Sequence, residues 1–362
     1  MRKHVAIVYN EPEASRYDTT GEVKAALGVL DSVLAVDQAL QELDYSVNRL
    51  PLAFPFQQSR EKLNYLNADL VFNLFEGFCG YPETEALVPE TLAALGIPYT
   101  GCRGDILRLS LNKAKIKVLL QAAGIPTPDA QLLTPRTLDI FRLDYPCIVK
   151  PCGEDASHGI TGDSVVNDFT SLERQVRVIS ESYGGSALVE KFIDGREYNA
   201  TVLGNTRFSV LPISEMVYAL PPGMPRVLTF EAKWEPDSAY FKGTSAVCPA
   251  DIVVEEQVRI AGTALSVFRF LNCQGYARVD MRADREGRMN VIEVNPNPDI
   301  SPGNGAARQA AAAGMTYAEF VEKLIEIALE READDNQHPP HAEERQNSPD
   351  ANSPEYPRVQ AG

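Results

Sequence analysis

Histidine is scarce in this chain: there are four in 362 residues, His4, His158, His338 and His341. The last two fall in a polar C-terminal stretch, so a histidine-rich zinc site or a Ser-His-Asp triad would have to rest on His4 or His158 alone. The six cysteines (Cys79, Cys102, Cys147, Cys152, Cys248 and Cys273) are scattered without a Cys-x-x-Cys pair. In a chain of this size that reads as reduced thiols in a cytoplasmic protein, not a disulfide framework. No run of 18 apolar residues is present, so no transmembrane helix and no membrane partner are expected. The opening "MRKHVAIVYNEPEAS" lacks the long apolar stretch and small-residue cleavage site of a secretory signal. Positive charge is short as well, 34 Lys and Arg against 50 Asp and Glu, a net charge of −16. With no basic stripe, nucleic acid is not the expected partner. An anionic nucleotide remains compatible, because a few lysines and backbone N–H groups can bind it locally.

What is present is enough apolar sequence, 44%, for a large core and for clefts between domains. Residues 1–104 alternate strand and helix signals: "HVAIVYN", a helix over 31–44, "YSVNRLPL", the helix "QSREKLNYLN", "ADLVFNLFEG", the helix "PETEALVPETLAALG" and a short strand "IPYTG". Repeated βαβ units predict an open, Rossmann-like parallel sheet with ligands at the carboxyl ends of its strands. Glu11 after the first strand and "FEGFCGYPE" after the third are therefore substrate-loop candidates. Residues 105–196 read as a second, α+β unit. It has a helix over 110–124 stopped by Gly124, the strand "YPCIVKP", the small-residue loop "GEDASHGI", a further helix, and the strand "SALVEKFI" leading into the turn "DGRE". Residues 197–330 read as antiparallel hairpins with a long helix within 250–271 and an amphipathic closing helix over 316–330. Residues 331–362 hold five of the 25 prolines and carry a charge of −4. With almost no large apolar residues, they are expected to stay disordered.

Two constellations carry chemistry. Lys150 ends the apolar strand "PCIVKP", where its point charge would emerge toward a cleft, and the flexible loop after it can wrap phosphate oxygens. In the hairpin "YARVDMR…IEVNPNPD", alternation puts Arg278 and Asp280 on one face of the first strand and Glu293 and Asn295 on one face of the second. Folding the hairpin brings Asp280, Glu293 and Asn295 together. Two carboxylates and an amide suit Mg²⁺, which keeps waters and takes phosphate oxygens for its remaining ligands. Arg278 beside them could neutralise a developing oxyanion.

Over roughly residues 1–330 the chain resembles the ATP-grasp carboxylate–amine ligases, and within them the D-alanine–D-alanine ligases. The stretches that carry the resemblance are "LNKAKIKVLLQAAGIPTP", "YPCIVKP" with "EDASHGI", "VEKFIDGREYN", "FEAKW" followed by "VCPADI", and "ARVDMR…IEVNPNPD", in that order. The resemblance implies an α/β ATP-grasp fold of three domains with ATP between the last two. It implies Lys113 and Lys150 on the ATP phosphates and Ser157 in the phosphate flap. Glu190 and the backbone of Lys191, Phe192 and Ile193 would hold adenine, with Glu197 on the ribose. Lys233 would reach the terminal phosphate from a closing loop over 225–247. Asp280, Glu293 and Asn295 would bind one or two Mg²⁺ ions, with Mn²⁺ as a substitute, and Arg278 would stabilise a tetrahedral intermediate. The implied reaction is amide formation between two small amino-acid-like substrates through an acylphosphate; a homodimer is common in such families. A peptide ligase of secondary metabolism and a non-catalytic ATP-binding protein are the alternatives. The departures sit at the substrate end: Glu76-Gly77 where the family carries His-Gly, Trp234 for the mobile-loop tyrosine, Ala156 for the first flap serine, and Asp299 within "PNPDISPGNG". A Glu in place of His would favour an amine over a carboxylate there, and Glu11 or Glu13 would hold a substrate ammonium.

Overall fold

The computed structural model describes residues 2–13, 16 and 28–337. The chain first builds β1 (His4–Asn10), α1 (Val29–Glu42), β2 (Ser46–Leu52), α2 (Phe56–Asn64), β3 (Leu70–Leu74) and α3 (Leu87–Leu95). β1 pairs in parallel with both neighbours, in the order β2-β1-β3. The expected strand at "IPYTG" is reduced to one parallel bridge, Val71 to Tyr99. Pro98 has no N–H to extend the ladder and contributes only its carbonyl, which accepts from the Val71 N–H at 2.8 Å.

The second unit contains α4 (Gly104–Leu111), α5 (Lys113–Ala122), β4 (Ala130–Leu133), β5 (Cys147–Pro151), β6 (Val165–Val166), α6 (Phe169–Ser182) and β7 (Ala187–Lys191). Its antiparallel sheet runs β4-β7-β5-β6. The single helix expected over 110–124 is instead two helices meeting at Asn112. That residue leaves helical geometry (φ −88°, ψ 79°), and its side chain accepts the Lys115 N–H at 2.9 Å, restarting the helix with Lys113 as its first residue. An N-cap of this kind contributes about 1 kcal/mol. Asn112→Ala is therefore expected to lower the unfolding free energy by about 1 kcal/mol in urea titrations.

The third unit contains β8 (Glu197–Leu203), β9 (Ser209–Val210), β10 (Ser214–Tyr218), α7 (Phe230–Trp234), α8 (Ala239–Gly243), β11 (Thr244–Val247), α9 (Val254–Phe270), β12 (Tyr276–Ala283), β13 (Met289–Asn295), α10 (Gly305–Ala312) and α11 (Tyr317–Gln337). The sheet order is β11-β10-β8-β12-β13, with β9 beside β8. α9 buries Ile260, Ala264, Val267 and Phe268, one face at helical spacing, against Ala200, Val202, Ala277, Val279 and Met281.

The closing helix α11 packs mainly on the first unit, with Leu203 and Tyr276 of the third sheet reaching the same core. Phe320, Val321, Leu324, Ile325 and Ala328 share one core with Val33, Val36 and Leu40 of α1 and with Ile7 and Phe72 of the first sheet. Each large side chain buried there contributes roughly 1.5–3 kcal/mol of transfer free energy. The end of the chain thus clamps its beginning. α11 also runs to Gln337, past the boundary at 330 expected for the tail; residues 338–362 of that tail lie outside the described residues. Among the described residues, no helix is long and apolar enough to cross a membrane.

Candidate active site

β12 and β13 pair with Arg278 opposite Asn295 and Asp280 opposite Glu293, and a register shift follows Asp280. The hairpin therefore brings together the residues that alternation placed on its polar face. Arg278 forks onto Asp280, with Nε 2.8 Å from Oδ1 and Nη2 2.9 Å from Oδ2. Asn199 of β8 and Asn295 of β13 donate to the same carboxylate at 2.8 and 3.0 Å. Because Asn295 spends its amide N–H on Asp280, its Oδ1 is the atom left to act as a ligand. Glu293 takes the Lys113 ammonium at 2.9 Å. Burial pushes the Glu293 carboxyl up, but Lys113, Lys150 and Lys233 outweigh it and hold its pKa at about 2. Two ionised carboxylates and one amide oxygen form a donor set for a small, hard divalent cation. Among the described residues no group of three His, Cys, Asp or Glu could hold a metal by itself. Such an ion would complete its shell with phosphate and water.

A cavity opens beside this hairpin, lined by Lys113, Lys150, Glu293, Lys233, Arg278 and Asp280. Its apolar end is formed by Ile148, Phe192, Ile193, Val227 and Leu228. Glu190, on the inner strand β7 of the second sheet, also lines it, with Lys150 at 2.9 Å and Lys117 at 3.2 Å from Oε1. The hinge N–H groups of Lys191 and Phe192 donate to Asp129 and Pro146 carbonyls at 2.9 Å each, so those two amides are already committed. Ile193 remains at the cavity wall, its carbonyl accepting from Arg282 at 2.8 Å. Glu197 is buried at the same end. Arg282 (Nε at 2.9 Å, Nη2 at 2.5 Å) and the Tyr218 hydroxyl (2.8 Å) all donate to its Oε2.

Ser157 sits in the loop after β5, where Ala156 and Ser157 both have positive φ (47° and 65°). The Lys113 ammonium donates to the carbonyl of Glu154 in this loop, tying it to the start of α5. Lys233 comes from α7, a short helix capped by Thr229, whose hydroxyl accepts the Ala232 N–H at 3.1 Å. Burial and the neighbouring Arg278 push the Lys233 ammonium below its usual range.

A profile of the family described as "D-ala D-ala ligase C-terminus" matches residues 119–326. A D-alanine–D-alanine ligase of Sinorhizobium fredii is 31% identical over 83% of this chain and 92% of its own. The chain belongs to the D-alanine–D-alanine ligase family. It is an ATP-dependent amide-bond ligase of the ATP-grasp fold. An uncharacterised Sinorhizobium fredii protein, y4sG, is 34% identical over 72% of this chain and 75% of its own. The D-alanine–D-alanine ligase of Bacillus anthracis superposes with a TM-score of 0.70 at 22% identity, covering 92% of this chain and all of that one.

The ligase departs from the family pattern where β3 ends. Glu76 projects there, its N–H donating to Asn10 at 3.3 Å. Gly77 keeps the family's glycine for a backbone reason: at φ 103° a Cβ would lie 2.8 Å from the Tyr81 carbonyl oxygen. Glu76 remains accessible to water, yet protein surrounds it on most sides. That crowding, with the charges of Asp299, Asp155 and Glu85, drives its pKa well above the usual carboxylate range. Asp299 is fully engaged, accepting from the Ser301 N–H and hydroxyl at 2.8 and 2.5 Å and from Asn304 at 3.2 Å. None of the four substrate candidates, Glu11, Glu76, Trp234 and Asp299, reaches the cavity wall. Glu11 is exposed beside β2, and Trp234 packs on Phe230 with ring centres 6.3 Å apart. Glu13 accepts the Phe54 N–H at 3.1 Å instead of facing the cavity. Residues that sequence reasoning passed over include Lys117, Asn199, Arg282 and Glu85. Asn199 and Arg282 had a legible signal, the two-residue alternation from Glu197 and from Arg278 and Asp280; Lys117 and Glu85 did not.

Burial pushes the Glu85 carboxyl up to about 8, although Asn297 donates to it at 2.5 Å and works the other way. A carboxyl held above its unfolded value of 4.5 adds most stability below that value, and the contribution is lost as pH rises toward 8. Urea unfolding should therefore show Glu85→Gln gaining on the wild type between about pH 5 and about pH 8.5.

Proposed function

We propose that this ligase uses ATP with Mg²⁺ to join the carboxylate of one small amino-acid-like substrate to the amine of another. The observation that carries this reading is the meeting of Lys113, Lys150, Lys233, Arg278, Asp280 and Glu293, from five separate segments, at one cavity. A substrate carboxylate oxygen attacks the γ-phosphorus, the bond to the bridging oxygen breaks, and ADP leaves. The amine then attacks the acyl carbon, phosphate departs and the amine's proton is released. Lys113 and Lys150 hold the phosphates, and Lys233 approaches the terminal one from α7. Arg278, fixed in place by Asp280, would stabilise an oxyanion at the tetrahedral carbon. Asp280, Glu293 and Asn295 would hold Mg²⁺, which neutralises charge on the β- and γ-phosphates. The 225–247 segment, closing over the site, keeps water from the acylphosphate.

The adenine lies against Ile148, Phe192 and Ile193 with Glu190 as acceptor for its amine, and Glu197 takes the ribose. At the substrate end, Glu76 stands where the family carries His, so no positive charge is there to hold a free carboxylate, which favours the amine-bearing partner. The test is ADP release with ATP and Mg²⁺ against pooled D-amino acids, L-amino acids and simple amines. Release above the ATP-only background in at least one pool is expected. Tight ATP binding with no release in any pool overturns the reading and leaves a nucleotide-binding protein.

A further inference from the structure

One cation near the nucleotide cavity has no part in the reaction described above. Lys117 lies on α5, one turn beyond Lys113, and is 4% exposed. Its ammonium donates to the Thr127 hydroxyl at 2.9 Å, lies 3.5 Å from the Pro128 carbonyl and 3.2 Å from Glu190 Oε1. Thr127 is itself anchored on the Val291 carbonyl at 2.7 Å, so the ammonium is held from two sides. Lys117 stands behind Glu190 and does not line the cavity; Lys150, on the same carboxylate oxygen, does. Glu190 thus has two cations, one at the cavity wall and one locked in the interior.

The asymmetry matters once a nucleotide arrives. In the reading given above, Lys150 serves the phosphates, which are more highly charged than a single carboxylate and draw its ammonium toward them. Glu190 is 2% exposed, and a buried carboxylate left without a counter-ion either takes up a proton or turns away. We propose that Lys117 is the resident counter-ion of Glu190, holding that carboxylate in place while Lys150 transfers its charge to the nucleotide phosphates. Lys117 is therefore a positioning residue: it acts on adenine through Glu190 and touches no part of the nucleotide. Asp129, also near Lys117, adds a further negative charge beside it.

This inference rests on the proposed nucleotide site, and the experiment separates the two. Calorimetry on the full chain would compare adenosine, ADP and ATP, with Mg²⁺, for the wild type, Lys117→Met and Lys117→Arg. Lys117→Met should lose about 10²-fold in affinity for ADP and ATP, because Lys150 must then choose between Glu190 and phosphate. Adenosine has no phosphate, leaves Lys150 on Glu190, and should change by less than about threefold. Lys117→Arg keeps the charge and should recover most of the ADP affinity. Equal losses for adenosine and ADP would mean a merely structural role and overturn the proposal, as would no loss for either. If Lys117→Met does not fold by circular dichroism, Lys117→Gln keeps a polar group near Thr127, removes the charge and gives the same comparison. A wild type that binds neither ADP nor ATP would instead overturn the nucleotide site itself.

Discussion

Glu293→Gln is expected to lower ATP turnover about 10³-fold, the size of a lost metal ligand worth several kcal/mol at the transition state. The substitution keeps the shape and removes the charge. It takes away one of two carboxylates in a set that has only an amide beside them, and it releases Lys113 from its partner at 2.9 Å. A neutral Gln also cannot draw three ammonium groups to the same corner as Glu293 does. Because Glu293 stays ionised down to about pH 2, acid loss of activity in the wild type must come from another group. Stability gives an independent check with a definite sign. A carboxyl depressed from 4.5 to about 2 adds stability above the unfolded value, and that stability is lost as pH falls through the folded one. The variant should therefore unfold more easily than the wild type at neutral pH, and the gap should close by about pH 2. ADP-release kinetics and urea titrations at two pH values measure the two effects separately. Turnover within about tenfold of the wild type would remove Glu293 from the metal set.

Arg278→Met is expected to cost roughly 10²–10³-fold in kcat, the range for removing one preorganised oxyanion donor. The guanidinium is held as a fork on Asp280 at 2.8 and 2.9 Å and lies between the metal set and the loop after β13. A Cβ at Gly305 would come within 3.4 Å of its Nη1 and 3.0 Å of the Asp299 carbonyl oxygen, so Gly305 lets that loop pack closely against the guanidinium. Lysine keeps the charge without the fork. Arg278→Lys should thus retain ATP affinity and still lose most of kcat, whereas Arg278→Met should also weaken folding by leaving Asp280 short of a cation. A kcat unchanged in both variants, with only KM raised, would assign Arg278 to substrate binding and not to the intermediate.

The hairpin was legible because its signal is local. Alternation at Arg278, Asp280, Glu293 and Asn295 needs only the two-residue period and one turn, and the observed register pairs Asp280 with Glu293 as that pattern requires. Lys150 at the end of "PCIVKP" was legible for the same reason. Asn112 was missed as a boundary because its neighbours continue a helical apolar pattern on both sides; only its side-chain cap on Lys115 divides α4 from α5. Glu190 was legible as a nucleotide residue only through the resemblance. That two lysines converge on it follows from how α5 packs against the second sheet, a contact without a sequence period.

The sequence alone determined most of the strand and helix alphabet and the polar face of the β12–β13 hairpin. Both follow from backbone periodicity and composition, which act over a few residues. The tertiary structure alone decided that α11 packs mainly on α1 and the first sheet. It also decided that Lys117 stands behind Glu190 and that Glu76 lies near enough to Glu85 and Asp155 to feel their charge. These are contacts between segments tens to hundreds of residues apart. Burial and charge select them only once the whole chain has collapsed, and nothing in the local pattern says which distant partner will be met.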